Sequence, residues 1–138
     1  MSRSGYTDDD DDQWRMIRWR GAVASATRGA RGQKLLSDML VALDSLPDKR
    51  LIATDLEADG SVCALGAVGK MRGLDMSKLD PYDSETIAST FGIAPALARE
   101  IVYENDQTVW EESSEHRFER MRRWASSQIE EPLHRKPD

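Results

Sequence analysis

The chain has 138 residues, 39% hydrophobic and 32% charged, with four tryptophans, a composition that excludes intrinsic disorder and fits one domain around one core. Its single cysteine excludes an internal disulfide, and its two histidines lie eighteen residues apart, so we expect no metal or other cofactor. The apolar runs are shorter than the roughly 20 residues of a membrane span, and five aspartates stand where a signal peptide would lie, so we predict a cytoplasmic protein.

The net charge of −6 is unevenly distributed along the chain. Residues 1–12 carry −4, residues 13–34 carry +6 with no acidic residue, and the remainder carries −8. Such a basic segment marks a binding surface, or it is neutralised internally by Asp8 to Asp12 and the acidic body, and we favour the second interpretation. We predict an acidic flexible leader over residues 1–11, one domain over 12–131 and a flexible tail over 132–138.

The first half of the domain predicts two helices and a hairpin. The first helix should begin near Asp12 and end at the Gly29–Gly32 break. The second carries leucine and methionine at helical spacing and ends before Pro47. A small two-stranded hairpin is expected at about residues 50–63, around Asp59–Gly60.

The first helix has two predicted apolar stripes, so we expect apolar contact over a wide arc, with the arginines at 15, 18, 20 and 28 projecting from the rest. The stripes are Trp14, Ile17, Gly21 and Ala24, and Met16, Trp19, Val23 and Ala26.

The segment "ALGAVGKM", residues 64–71, is close to a phosphate-binding loop. Such a loop needs GxxxxGK followed by Ser or Thr, but Ala64 stands at the first glycine and Met71 at the hydroxyl position. The preceding residues are also too polar for the required buried strand. We therefore favour a packing helix in which Gly66, Gly69 and Gly73 lie on one side and let another helix approach closely, with Cys63 as a small buried residue at its start.

Residues 85–101, "ETIASTFGIAPALAREI", have the pattern of a helix-turn-helix. Gly92 should end one helix and Pro95 should begin the next. The neighbouring residues are mostly acidic, so we expect this geometry to be architectural and predict no sequence-specific DNA binding through it.

The last helix should open at Ser113 or Ser114 and bury Phe118, Met121 and Ile129. Arginines occupy its remaining positions and are expected to form a solvated face: Arg117, Arg120, Arg122 and Arg123. If this helix lies beside the first one, the two create a single cationic surface edged with tryptophan. We predict that binding surface to comprise Trp14, Arg15, Arg18, Trp19, Arg20, Arg120 and Arg123.

Three segments together resemble a group of small proteins encoded in bacteriophage and prophage genomes: "DGSVCALGAVGKMRGLDMSKLDP", "FGIAPALAREIVYEND" and "ERMRRWASSQI". That group has no established activity, so the resemblance implies a setting in the bacterial host cell. Small phage proteins of this kind are often inhibitors of host defence, including anti-CRISPR proteins, which occupy a surface of a host protein or mimic nucleic acid. The run Asp8–Asp12 suits such mimicry, although we favour a solvated leader for it.

The sequence therefore predicts a mainly α, compact helical single domain with a helix-turn-helix-like segment and a small hairpin. We find no Ser/His/Asp set and no placed pair of carboxylates, so we name no catalytic residue and expect a non-enzymatic protein. The expected partner is a bacterial protein or ribonucleoprotein complex, plausibly a defence component such as CRISPR-Cas. The alternative is a nucleic-acid-binding regulator that uses the helix-turn-helix or the basic helix surface.

Overall fold

The computed structural model of the chain describes residues 3–4, 13–107 and 112–129. Within these ranges the chain forms a single domain of six α-helices, one 3-10 turn and one two-stranded antiparallel sheet, which confirms the predicted fold class. In chain order the elements are α1 (Gln13–Arg28), α2 (Ala30–Ser45), β1 (Glu57–Ala58), β2 (Ser61–Val62), α3 (Ala64–Met71), the 3-10 turn Met76–Lys78, α4 (Ser84–Phe91), α5 (Pro95–Asp106) and α6 (Ser114–Gln128).

Helix α2 is the centre of the core and packs against α1, α3 and α6. Leu35, Leu36, Met39 and Leu43 are completely buried, in agreement with the periodicity of the sequence. The predicted break at Gly29–Gly32 is correct at Gly29, which caps α2, and wrong at Gly32. Gly32 lies inside α2, where an added Cβ would collide with the carbonyl oxygen of Ala26, so its role is close packing against the end of α1.

Helix α1 packs against α2 and α5 through one flank only. Trp19, Val23 and Ala26 are half-buried, whereas Ile17 is 59% exposed and Gly21 is exposed. The predicted wide apolar arc is therefore wrong at Ile17 and Gly21 of the first stripe and at Met16 of the second, which is 37% exposed, whereas Ala24 of the first stripe is half-buried. Neighbouring elements cover too little of α1 to bury both stripes.

The hairpin and α3 form one compact unit. Asp59 and Gly60 both have positive φ, 52° and 82°, as a tight antiparallel turn requires, and Ala58 pairs with Ser61. Helix α3 then begins after Cys63, and its residues 64–69 are all buried. This confirms the packing helix predicted for "ALGAVGKM", but the element that approaches Gly66 closely is the hairpin and not another helix.

Helices α4 and α5 pack together in the predicted helix-turn-helix-like arrangement. Asp83 caps α4 by accepting a hydrogen bond from the backbone N–H of Thr86, and Gly92 ends the helix with φ of 73°. Ile87 and Phe91 of α4 and Leu97 of α5 are buried at the contact.

Helix α6 begins after its cap Ser113 and buries Phe118, Met121 and Ala125 against the core. The predicted solvated face of α6 is wrong at Arg117, which is only 3% exposed. Its guanidinium donates to the backbone carbonyls of Asn105 and Leu51, so it stabilises the interior instead.

In the part of the chain that the structure describes, no helix is long and apolar enough to cross a bilayer. Arg3 and Ser4, within the predicted leader, are buried. The aspartate run Asp8–Asp12 and the predicted tail, 132–138, lie outside the described residues.

Candidate binding surface

An exposed basic surface lies on α1. Arg15, Arg18, Arg20 and Arg28 are all exposed, and no acidic residue interrupts residues 13–34. Arg18, Arg20 and Arg28 form no ion pair with any residue that the structure describes. Their guanidinium groups are thus available to an external partner.

Apolar side chains lie exposed among these arginines. Ile17 is 59% exposed and Met16 is 37% exposed. Trp19 is half-buried on the flank that packs against the domain, and the side chain of Trp14 lies outside the described residues. A surface that combines exposed aliphatic side chains with arginine is typical of protein contact sites.

Five exposed residues of α1 share one outward face, because each lies three or four positions along the helix from another of them. We call it the exposed α1 face, and it consists of Ile17, Arg18, Gly21, Ser25 and Arg28. A Cβ added to Gly21 would meet no atom within 4 Å, so the domain's own packing does not require a glycine there. A mid-helix glycine costs about 0.5 to 1 kcal/mol relative to alanine, and packing within the domain supplies no offsetting contact at this position.

The predicted contribution of α6 to this surface divides into two parts. Arg123 is exposed and has no ion-pair partner among the described residues. Arg120 is bound within the protein: it makes a bidentate ion pair with Glu112, at 2.7 and 2.9 Å, and donates to the backbone carbonyls of Glu104 and Asn105. Arg120 therefore holds α6 against the end of α5.

Helices α1 and α6 are linked at their C-terminal ends. The side-chain amide of Gln33 in α2 donates to the carbonyl of Thr27 at 2.8 Å and to that of Gln128 at 3.0 Å. Arg15 and Arg18 lie nine to twelve residues before Thr27, or roughly 14 to 18 Å along α1. The candidate site is thus centred on α1, and the contribution of Arg123 stays a prediction.

Arg123 lines an open groove of about 530 Å³ along one face of α6. Arg122, on the same groove, forms a bidentate ion pair with Asp44 of α2 at 2.7 and 3.0 Å. Both partners of that pair are about half-exposed, so it contributes little stability.

A buried polar cluster that the sequence did not reveal joins distant parts of the chain. Asn105 is completely buried. Its side-chain oxygen Oδ1 accepts from the backbone N–H of Ala64, and its side-chain nitrogen Nδ2 donates to the backbone carbonyl of Ile52. Arg3 donates to both carboxylate oxygens of Asp106 at 2.6 and 2.8 Å. The polar sequence "END", residues 104–106, is typical of an exposed helix end, and only the tertiary fold places Asn105 and Asp106 against interior partners.

Cys63 belongs to this cluster. Its sulfur accepts from the N–H of Gly66, which caps α3, and lies 3.7 Å from the guanidinium of Arg3. The side chain is 1% exposed. The N–H groups of Ala64 and Gly66 therefore already have partners inside the protein, and Lys70 lies exposed near the other end of the helix. This arrangement does not present the loop of free N–H groups that a phosphate needs.

Three carboxyl groups have shifted pKa values that follow from these contacts. Hydrogen bonds from Arg120 are the main reason that the pKa of Glu112 lies below its usual value. Burial acts to raise the pKa of Asp106, but the hydrogen bonds and charge of Arg3 outweigh it and lower the pKa. Burial, together with the adjacent carboxyl of Glu100 one turn away, raises the pKa of Glu104 to about 7.

The helix-turn-helix-like segment presents an acidic exterior. Asp80, Asp83 and Glu85 are exposed beside α4, and Arg99 of α5 donates to the hydroxyl of Ser84 at 3.3 Å. A surface of this charge repels a phosphate backbone. The described residues contain no group of three or more His, Cys, Asp or Glu side chains that could hold a metal ion.

No protein-family model, curated protein or solved structure matches the chain. The function is therefore inferred from its residues and their geometry.

Proposed function

We propose that this protein is a non-enzymatic phage or prophage accessory protein that acts by binding a bacterial macromolecule through α1. The observation that carries the proposal is that α1 packs one flank against the domain and exposes Ile17 on the other. Arg18, Arg20 and Arg28 are exposed as well and form no ion pair with a residue that the structure describes. The exposed Ile17 and these arginines contribute little to packing within the domain. An external contact accounts for the exposed arginine and isoleucine side chains together.

A binding role is also supported by the way in which the interior polar groups are used. In the described part of the chain, every buried side-chain nitrogen or oxygen has a hydrogen-bond partner. Asn105, Asp106 and Glu112 bind arginines and backbone groups of the domain, which leaves them no evident role in acid or base chemistry. We therefore assign these groups to stability and the function to the surface.

The proposed partner is a bacterial protein or a ribonucleoprotein complex. The resemblance to phage-encoded proteins favours a component of host defence, such as a CRISPR-Cas complex. The second candidate, a nucleic-acid-binding regulator, is favoured by one observation only, the acid-free run of six basic residues between 13 and 34.

Affinity capture from a bacterial lysate tests the proposal, with tagged wild-type protein compared with Arg18→Glu/Arg20→Glu. The matched control is Lys70→Glu/Lys78→Glu, which reverses two exposed charges on other elements. We expect the wild type and the control to retain one specific partner and the α1 variant to lose it. Equal retention of that partner by all three proteins would refute α1 as the contact.

Salt dependence separates the two candidates. A nucleic-acid binder loses affinity for generic DNA or RNA steeply as salt rises, because bound phosphates release counterions. We expect no binding of generic oligonucleotides at physiological salt. Micromolar binding with a steep salt dependence that disappears in the α1 variant would favour the regulator instead.

A further inference from the structure

We propose that the exposed α1 face docks an acidic, amphipathic helix of the partner protein. The inference rests on the proposed function and specifies the chemistry of the partner at the same site. It combines the charge of the face, the exposed isoleucine and the space over Gly21.

Charge complementarity selects an acidic partner. Arg18 and Arg28 lie at the two ends of the face, about 15 Å apart along the axis, and neither forms an ion pair with a described residue. Arginine binds carboxylates through paired, parallel N–H groups, so a matching surface carries carboxylates at a similar separation. On a helix, this separation corresponds to about three turns.

The apolar part of the face selects protein over nucleic acid. Ile17 is 59% exposed beside Arg18, and phosphates and sugars give an aliphatic side chain little to contact. An amphipathic helix instead supplies a leucine-type side chain to cover Ile17 between its acidic positions. The overall charge of −6 also weakens long-range attraction to nucleic acid.

The middle of the face allows a close approach. Gly21 and Ser25 are exposed and one turn apart, and the position of a Cβ on Gly21 is empty to 4 Å. A helix resting there can come to the short end of the usual 8 to 10 Å range of axis separations. Its carboxylates then reach Arg18 and Arg28 on either side of the contact.

Fluorescence anisotropy tests the proposal with a defined probe. The probe is a labelled 20-residue amphipathic peptide with leucines on one face and glutamates three turns apart, and a scrambled peptide of equal composition is its control. A 20-nucleotide single strand and its duplex are the competing probes. We expect the wild type to bind the amphipathic peptide at least tenfold more tightly than the scrambled peptide or either oligonucleotide.

Two variants address the two parts of the face. Gly21→Leu fills the close-approach position without changing charge, and Arg18→Glu/Arg28→Glu reverses both ends. Each should weaken peptide binding at least tenfold. The matched controls, Ser37→Leu on the exposed side of α2 and Lys70→Glu/Lys78→Glu, should stay within twofold of the wild type.

The helix-docking inference is overturned if the wild type does not bind the amphipathic peptide, or if Gly21→Leu binds it as tightly as the wild type does. It is also overturned if the wild type binds either oligonucleotide more tightly than the peptide. A further variant replaces Asp8–Asp12 by serines; binding that appears only in this variant would mean that the chain's own aspartates occupy the face, which also overturns it. Each of these results is distinct from failure of the proposed function. A partner captured from lysate through Arg18 and Arg20 but indifferent to Gly21→Leu would sustain the function and exclude the docked helix.

Discussion

Gly66→Ala should destabilise the fold, because α3 approaches the hairpin closely at this position. A Cβ added there would collide with the backbone carbonyl oxygen of Leu56, lie 2.9 Å from its carbon, and lie 3.1 Å from the Cβ of Val62. These are backbone or near-backbone atoms, so no side-chain rotation relieves the clash. Helix and hairpin must separate for the methyl group to fit.

The cost follows from what that separation breaks. The Leu56 carbonyl accepts the N–H of Cys63 at 3.1 Å, and a buried carbonyl deprived of its donor costs about 1 to 3 kcal/mol. Overpacking of the core adds typically 1 to 3 kcal/mol. The better helix propensity of alanine offsets about 1 kcal/mol of this cost, so the free energy of unfolding should fall by about 1 to 5 kcal/mol.

Gly69→Ala is the matched comparison in the same helix. Its Cβ would meet the sulfur of Met76 and, at 3.2 Å, the ring of Phe91, and the flexible methionine can move. We expect a loss of about 1 kcal/mol for Gly69→Ala. For Gly66→Ala the expected fall in Tm is about 10 °C.

Thermal and urea unfolding, followed by far-ultraviolet circular dichroism, measure both variants. A Gly66→Ala protein as stable as the wild type would refute the close approach of α3 and hairpin. A Gly69→Ala protein less stable than Gly66→Ala would refute the distinction between a backbone and a side-chain obstacle.

Three further predictions use the same unfolding measurements. Gly21→Ala should raise the free energy of unfolding by about 0.5 to 1 kcal/mol, because the added methyl group meets nothing; a loss of stability would show that α1 is packed there. Lys70→Ala should change the free energy of unfolding by less than about 0.5 kcal/mol and leave partner binding intact, because Lys70 is exposed. A folded Lys70→Ala protein that no longer binds the partner would show that Lys70 is functional. Substitutions of Glu112 and Glu104 should show opposite pH dependences. The lowered pKa of Glu112 means that its carboxylate stabilises the fold at neutral pH, and this stabilisation is lost as pH falls below about 4.5. The raised pKa of Glu104 means that the free energy of unfolding falls as pH rises from about 4.5 towards 7. Glu112→Gln should therefore destabilise by about 2 to 3 kcal/mol at pH 7 and much less at pH 3, while Glu104→Gln should gain stability relative to the wild type as pH rises; parallel pH profiles would contradict these contacts.

The regular elements of this protein were predictable because their signals are local. Pro47, Gly92 and Pro95 act on their own backbone and neighbouring residues, so helix ends follow directly from the sequence. Asp59–Gly60 likewise specifies a tight turn, and both residues adopt the positive φ that it needs. The leucine periodicity of α2 sufficed to predict the helix and its buried face, because apolar residues at helical spacing form one stripe that must pack against the core.

The candidate site was predictable only in part. The acid-free basic segment identified α1, since charge along a chain is visible without a fold. Ile17 was expected in a packed stripe, and only the placement of α2 and α5 leaves it exposed. Arg120 and Arg123 have similar sequence surroundings, yet the nearness of Glu112 and the end of α5 binds one of them inside the protein.

The sequence by itself determined the helices, their caps and the turn, because these depend on residues within a few positions of one another. The tertiary structure alone decided which polar residues became interior: Arg3, Asn105 and Arg117 look like surface residues and are each at most 3% exposed. Each of them has at least one partner 12 to 103 positions away along the chain. Burial of these polar groups is stable only when the fold brings their distant hydrogen-bond partners into contact with them, and a local sequence pattern does not show which distant residues will be in contact.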